Sequence, residues 1–130
     1  MIVDASAILA VLLKEPEQHL FSNFLNELPR RASLSPVNYV EVAVRMDRGD
    51  MPEASERLDA VLANMNVELA DVTPEQAKLA REAYSRFGKG NHQARLNLGD
   101  CFAYALAKAR GEPLLFKGQD FRHTDVEAAL

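Results

Sequence analysis

The sequence has one cysteine, no tryptophan, and only six glycines and six prolines among its 130 residues. A lone Cys101 forbids an intrachain disulfide and removes any sign of an oxidising compartment. His19, His92, His123 and Cys101 fall at no spacing that would close around zinc. The glycines and prolines are scattered, so no linker, repeat or low-complexity tract divides the chain. The apolar run Ala5–Leu13 is far short of the roughly 20 residues a bilayer span needs. Asp4 stands where a secretory leader would be basic. Gly-x-Ser-x-Gly and a phosphate-cradling glycine loop are also missing, and no protein nucleophile is evident. With 48% hydrophobic and 26% charged residues, the expectation is one folded, soluble, cytoplasmic domain spanning residues 1–130, with no membrane contact.

Acids outnumber bases, 19 against 15, for a net charge of −4. The balance is uneven along the chain. Residues 81–95 hold Arg81, Arg86, Lys89 and Arg95 against Glu82 alone, a net +3, which leaves −7 for the rest. Such a local basic stretch on an acidic body suits contact with a phosphate backbone rather than a general coating of nucleic acid.

Strand and helix patterns alternate. Met1–Val3 reads as a buried strand, and Ala5–Leu13 as a helix with Ser6 as its cap. Pro16 opens a second helix with Leu20, Phe21, Phe24, Leu25 and Leu28 on one face. Ala32–Ser35 is a short strand, followed by a helix over Val37–Arg48 with a stripe of Val37, Val40 and Val44. Pro52 starts another helix that buries Leu58, Val61, Leu62 and Met65, and Val67–Val72 is a strand. Thr73 and Gln76 have capping-box form for a helix to about Phe87. Gly88–His92 is a polar, basic loop, and Asn97–Arg110 is an apolar helix closed by Gly111. Pro113–Phe116 is a strand, with a last one expected near Val126. This alternation implies an α/β fold, a three-layer α/β/α domain on a mostly parallel sheet, with chemistry at the carboxyl ends of its strands.

Acids fall at those ends. Asp4 follows the first strand, and Asp120 and Asp125 follow the Pro113–Phe116 strand. Glu41 lies on a helix edge beside the apolar stripe, where a carboxylate needs compensation. Asp100 occupies the first turn of the apolar helix, a position its interaction with the helix dipole already explains. Taken singly, each acid suits a cap, a turn or a solvated margin. Three or four converging carboxylates repel one another unless cations sit between them, and all-oxygen ligands select Mg²⁺ or Mn²⁺. Carboxylate-held ions of this kind suit phosphodiester hydrolysis.

Four segments, in this order and spacing, resemble the PIN-domain ribonucleases, specifically the VapC toxins of toxin–antitoxin modules. They are Met1-Ile2-Val3-Asp4-Ala5-Ser6-Ala7, Ser35-Pro36-Val37-Asn38-Tyr39-Val40-Glu41, the stretch from Leu98 to Ala107, and Pro113 to Phe121 with Thr124-Asp125. The resemblance covers essentially the whole chain. Ala5 stands where the family often has Thr, and Gln119 where it often has Asn or Asp. What it implies is a Mg²⁺- or Mn²⁺-dependent endoribonuclease. Asp4 and Asp100 would be direct ligands, and Glu41 would act through water or orient the attacking water. Asp120 would support a second ion, with Asp125 as its rival for the fourth position, and Ser6 would support the first acid. The family also implies a homodimer and a small VapB-type antitoxin whose basic side chain would meet the acids. With RNA as substrate, Arg86, Lys89, His92 and Arg95 become candidate phosphate contacts, while Tyr39 and Phe121 read as core aromatics rather than base-stacking platforms.

Three other readings fit the residues less well. A catalytically silent PIN-like module that grips RNA or a protein would be favoured by loss of an acid, and all four are present. A haloacid-dehalogenase-type phosphatase wants a second acid two residues after the first, where Ser6 stands. A response-regulator domain wants an acidic pair ahead of its phospho-acceptor strand, and none is seen.

Overall fold

A computed structural model describes residues 1–130. Four short strands, β1 (Ile2–Val3), β2 (Ala32–Leu34), β3 (Val67–Leu69) and β4 (Leu114–Leu115), form one sheet in the order β3-β2-β1-β4. All three pairings are parallel, with Ile2 opposite both Ser33 and Leu114. Parallel neighbours require crossovers, and the helices supply them: α1 (Ala5–Leu12), α2 (Gln18–Glu27), α3 (Pro36–Asp47), α4 (Pro52–Glu56), α5 (Leu58–Asn64), α6 (Pro74–Phe87) and α7 (Leu98–Arg110). Successive strand residues point to opposite faces, so Ile2 and Leu114 pack with α6 and α7, while Val3 and Leu115 pack with α1, α2, α3 and α5. Two cores on one sheet make the three-layer α/β/α domain.

Local details depart from the pattern expected along the chain. The cap of α1 is Asp4, whose Oδ2 accepts the Ser6 N–H at 3.0 Å, rather than Ser6 itself. Helix α2 begins only at Gln18, and its Leu20 faces solvent while Phe21 and Leu25 are buried. The helix expected from Pro52 breaks at Arg57, because Pro52–Glu56 has no fully buried residue and the chain turns to bring Leu58 and Leu62 inward. On α3 the buried face is Asn38, Val42 and Met46, while Val40 and Val44 are 55% and 45% exposed. That helix is apolar on two faces, and periodicity alone does not say which meets the sheet. The strand expected near Val126 reduces to one parallel bridge between Leu114 and Ala128.

Candidate active site

Asp4 leaves β1 buried, with 3% of its surface exposed. Its Oδ2 takes the Ser6 N–H. The Ser6 hydroxyl oxygen accepts the Lys117 N–H at 3.0 Å, which ties the segment after β4 to the start of α1. Oδ1 of Asp4 is buried and has no partner. Burial raises the Asp4 pKa above the usual carboxylate range; the Ser6 bonds oppose the rise and the charge of Asp120 adds to it.

Glu41 reaches toward the first turn of α7. The Asn38 side-chain amide donates to Glu41 Oε2 at 2.8 Å and to the Gly99 carbonyl at 3.0 Å. A Cβ on Gly99 would lie 1.8 Å from Glu41 Oε1, so this approach requires glycine there. Burial raises the Glu41 pKa against the Asn38 hydrogen bond, and the Asp4 charge raises it further.

Asp100 sits at the third position of α7 in a reciprocal cap. The Asp100 N–H donates to Asn97 Oδ1 at 2.9 Å, and the Asn97 N–H donates to Asp100 Oδ2 at 3.0 Å. Capping and site membership coexist, since the cap engages only one carboxylate oxygen. Burial, followed by the charge of Asp4, pushes the Asp100 pKa up to about 7, with Glu41 and Asp120 adding to the rise. Asp120 opens a 3₁₀ turn over Asp120–His123, held by buried Phe121, whose ring lies 5.2 Å from that of Phe116. The four acids Asp4, Glu41, Asp100 and Asp120 therefore share one electrostatic neighbourhood at the carboxyl ends of β1 and β4 and on the flanking helices.

Asp125 is elsewhere. It accepts the Tyr104 hydroxyl at 2.6 Å and the Lys108 ammonium at 3.2 Å, with Arg86 at 3.9 Å, so its charge is already answered. The geometry thus brings Asp120, and not Asp125, to the other acids. Arg86, half exposed, lies with its guanidinium over the Phe87 ring and 3.9 Å from the Asp125 carboxylate. Lys89, His92 and Arg95 do share an open polar cleft of about 520 Å³ with Gly90, Asn91 and Gln93. His92 packs edge-on to Phe87, and its Nδ1 accepts the Ala94 N–H at 3.0 Å. Arg95 holds a left-handed φ of 55° two residues before the Asn97 cap. Phe121 is core as expected, and Tyr39 is partly buried with its hydroxyl donating to Asp59 at 2.6 Å. Cys101 is fully buried, and burial, then Asp100, raises its thiol to about 11, so it offers no nucleophile.

The spacing of acids along the chain did not announce Asn38, Gly99 or Lys117. A signal existed for the first: an amide three residues before Glu41 shares its side of the helix.

As they stand, the side chains do not close into a cage of three or more ligands around one point. The donor set still fits a hard divalent cation. It is all oxygen, burial and neighbouring acids raise the pKa values of Asp4, Glu41 and Asp100, and Asp4 keeps a buried oxygen with nothing to bond.

Acids gathered at the strand ends of a small α/β/α domain define an acid-centred α/β class, and the comparisons narrow it. The PIN domain family model matches residues 1–127. Ribonuclease VapC42 of Mycobacterium tuberculosis is 44% identical over 130 residues, covering 99% of this chain and 98% of its own. Ribonuclease VapC of Mycolicibacterium smegmatis is 44% identical over 128 residues, covering 98% of each chain. Among solved structures, the Mycobacterium tuberculosis toxin VapC20, described as cleaving the sarcin–ricin loop, superimposes with a TM-score of 0.77 at 18% identity, covering 96% and 95% of the two chains. A toxin–antitoxin complex from Klebsiella pneumoniae gives a TM-score of 0.72 at 14% identity, covering 95% and 92%. The chain belongs to the PIN-domain family, in its VapC branch.

Proposed function

We propose that this chain is an endoribonuclease toxin of a VapBC-type toxin–antitoxin pair, hydrolysing RNA phosphodiester bonds at a carboxylate-held Mg²⁺ or Mn²⁺ centre. The observation that carries the reading is the buried, unpartnered Oδ1 of Asp4 among three further acids whose charges it feels or shifts. Asp4 and Asp100 would hold the ion directly, Glu41 through water, and Asp120 a second ion or its waters. When bound, the ion would supply charge stabilisation on the phosphate and activation of an attacking water.

The chain's own groups do the rest. Ser6 fixes the Asp4 carboxylate so that one oxygen faces the centre. Glu41 keeps Oε1 clear of Asn38, and that oxygen orients the attacking water and accepts its proton. The cleft of Lys89, His92 and Arg95 leads into the cap of α7 and receives RNA phosphates. A homodimer and a small VapB-type antitoxin complete the picture. Val40, Val44 and Leu98 are exposed on α3 and α7, the helices that carry Glu41 and Asp100, and Leu98 is 68% exposed. Apolar surface beside an acidic groove suits a partner with an apolar helix and a basic side chain.

The test is cleavage of labelled RNA by antitoxin-free protein in Mg²⁺, Mn²⁺ or EDTA, beside Asp4→Ala and Asp100→Ala. Expected is metal-dependent cleavage that falls at least about 100-fold in both folded variants. Cleavage that persists in EDTA, or in both variants, would reject the reading.

A further inference from the structure

We infer that Asn38 is the positioning residue of the acidic centre, locking Glu41 of α3 to the Gly99 carbonyl of α7 and so setting where Glu41 stands relative to Asp100 and Asp4. The inference rests on the metal-centre reading above and adds a residue to it.

Asn38 has no exposed surface, although it lies on a helix whose other buried residues are Val42 and Met46. Its amide nitrogen has two hydrogens, and both are used: one on Glu41 Oε2 at 2.8 Å, the other on the Gly99 carbonyl at 3.0 Å. Both partners are acceptors only, which fixes the amide's orientation. The consequence is that Asn38 Oδ1 is left buried without a donor. A residue kept only for packing would be apolar at this position, since an unsatisfied buried carbonyl is a standing cost. What the cost secures is a bridge between two helices that each carry an acid.

Such a bridge is needed. Asp4 and Asp100 both repel a charged Glu41, whose long side chain would otherwise swing to solvent. The Asn38 donor holds the carboxylate in place and favours its charged form, and Gly99 leaves the space for it: the Oε1, Cδ and Oε2 atoms of Glu41 would all lie within 2.4 Å of a Cβ there. The cation that enters then meets an acid already in position rather than one that must be ordered on binding.

The experiment measures Mn²⁺ affinity by titration calorimetry on antitoxin-free protein, with folding checked by thermal melting in EDTA. Asn38→Ser and Asn38→Leu are each compared with the parent, alone and in a Glu41→Ala background. Ser is too short to span both acceptors, and Leu fills the space without donating. Asn38→Ser, or Asn38→Leu if the serine variant does not fold, is expected to weaken Mn²⁺ binding about tenfold or more. In the Glu41→Ala background the same change has no further effect, because nothing remains to be held. Gly99→Ala, which displaces Glu41 while leaving Asn38 intact, is expected to match Glu41→Ala. Unchanged Mn²⁺ affinity in a folded Asn38 variant overturns the inference. So does an equal loss with and without Glu41, which would mark a purely structural role. A parent that binds no Mn²⁺ rejects the metal centre itself and the inference with it, a result separate from the other two.

Discussion

At the scale of single residues, the acids are held in a state that folding makes unfavourable. Asp4, Glu41 and Asp100 all have pKa values raised first by burial and then by the charge of at least one neighbouring acid, Asp100 to about 7. A carboxylate whose pKa is higher folded than unfolded contributes stability while it is protonated in both states, below about 4, and that contribution is lost as pH rises through the folded value. Metal-free protein is therefore expected to melt at progressively lower temperature as the buffer moves from about pH 4 to pH 8. Asp100→Asn should flatten that decline and raise the melting temperature at pH 8. A melting temperature that climbs across this range in EDTA would contradict the electrostatics. Ser6 is a second case. Its hydroxyl oxygen accepts the Lys117 N–H at 3.0 Å, so Ser6→Ala should cost about 1 kcal/mol in urea unfolding by releasing the segment after β4 from the start of α1.

At the scale of elements, three of the four acids are presented by devices that also build the fold. Asp4 caps α1, Asp100 caps α7 with Asn97, and Phe121 pins the turn that starts at Asp120. Asn97→Ala removes one half of the α7 cap and should destabilise the protein by about 1 kcal/mol, while Asn97→Ser should recover most of it in the same denaturant melts. If the cap also orients Asp100, activity follows the same order. These devices explain how much was legible beforehand. Asp4 at a strand end, the Thr73 cap with its Gln76 partner and the Asn97–Asp100 pair are local patterns, and local patterns survive in sequence. Which face of α3 meets the sheet was not legible, because Val40 and Val44 are as apolar as Val42 and only tertiary packing distinguishes them. The Asn38–Gly99 bond was hidden for the same reason, being set by the approach of two helices far apart in the chain. Sequence favoured Asp120 over its rival Asp125 only by resemblance, and what separates them, Tyr104 and Lys108 occupying Asp125, is tertiary.

At the scale of the whole molecule, the charge is divided. An acidic centre sits at one end of the parallel sheet, and the polar cleft of Lys89, His92 and Arg95 opens off the loop that leads into α7. No helix is long and apolar enough to cross a membrane. Lys89→Ala with Arg95→Ala should weaken RNA binding and lower the slope of log affinity against log salt by about 1 to 2, with Mn²⁺ affinity unchanged. An unaltered slope would move RNA contact to another face. The division of charge also means that the acids are incompletely answered by the protein itself, and a cation is the group that would answer them. The most direct measurement is the melting temperature of antitoxin-free protein at pH 7.5 as Mn²⁺ is titrated in, for the parent and for Asp4→Asn and Asp100→Asn. For the parent a rise of roughly 10 °C is expected at about 100 times the dissociation constant, with each substitution removing most of it. No rise in the parent, together with RNA cleavage that survives EDTA, would contradict the metal centre outright.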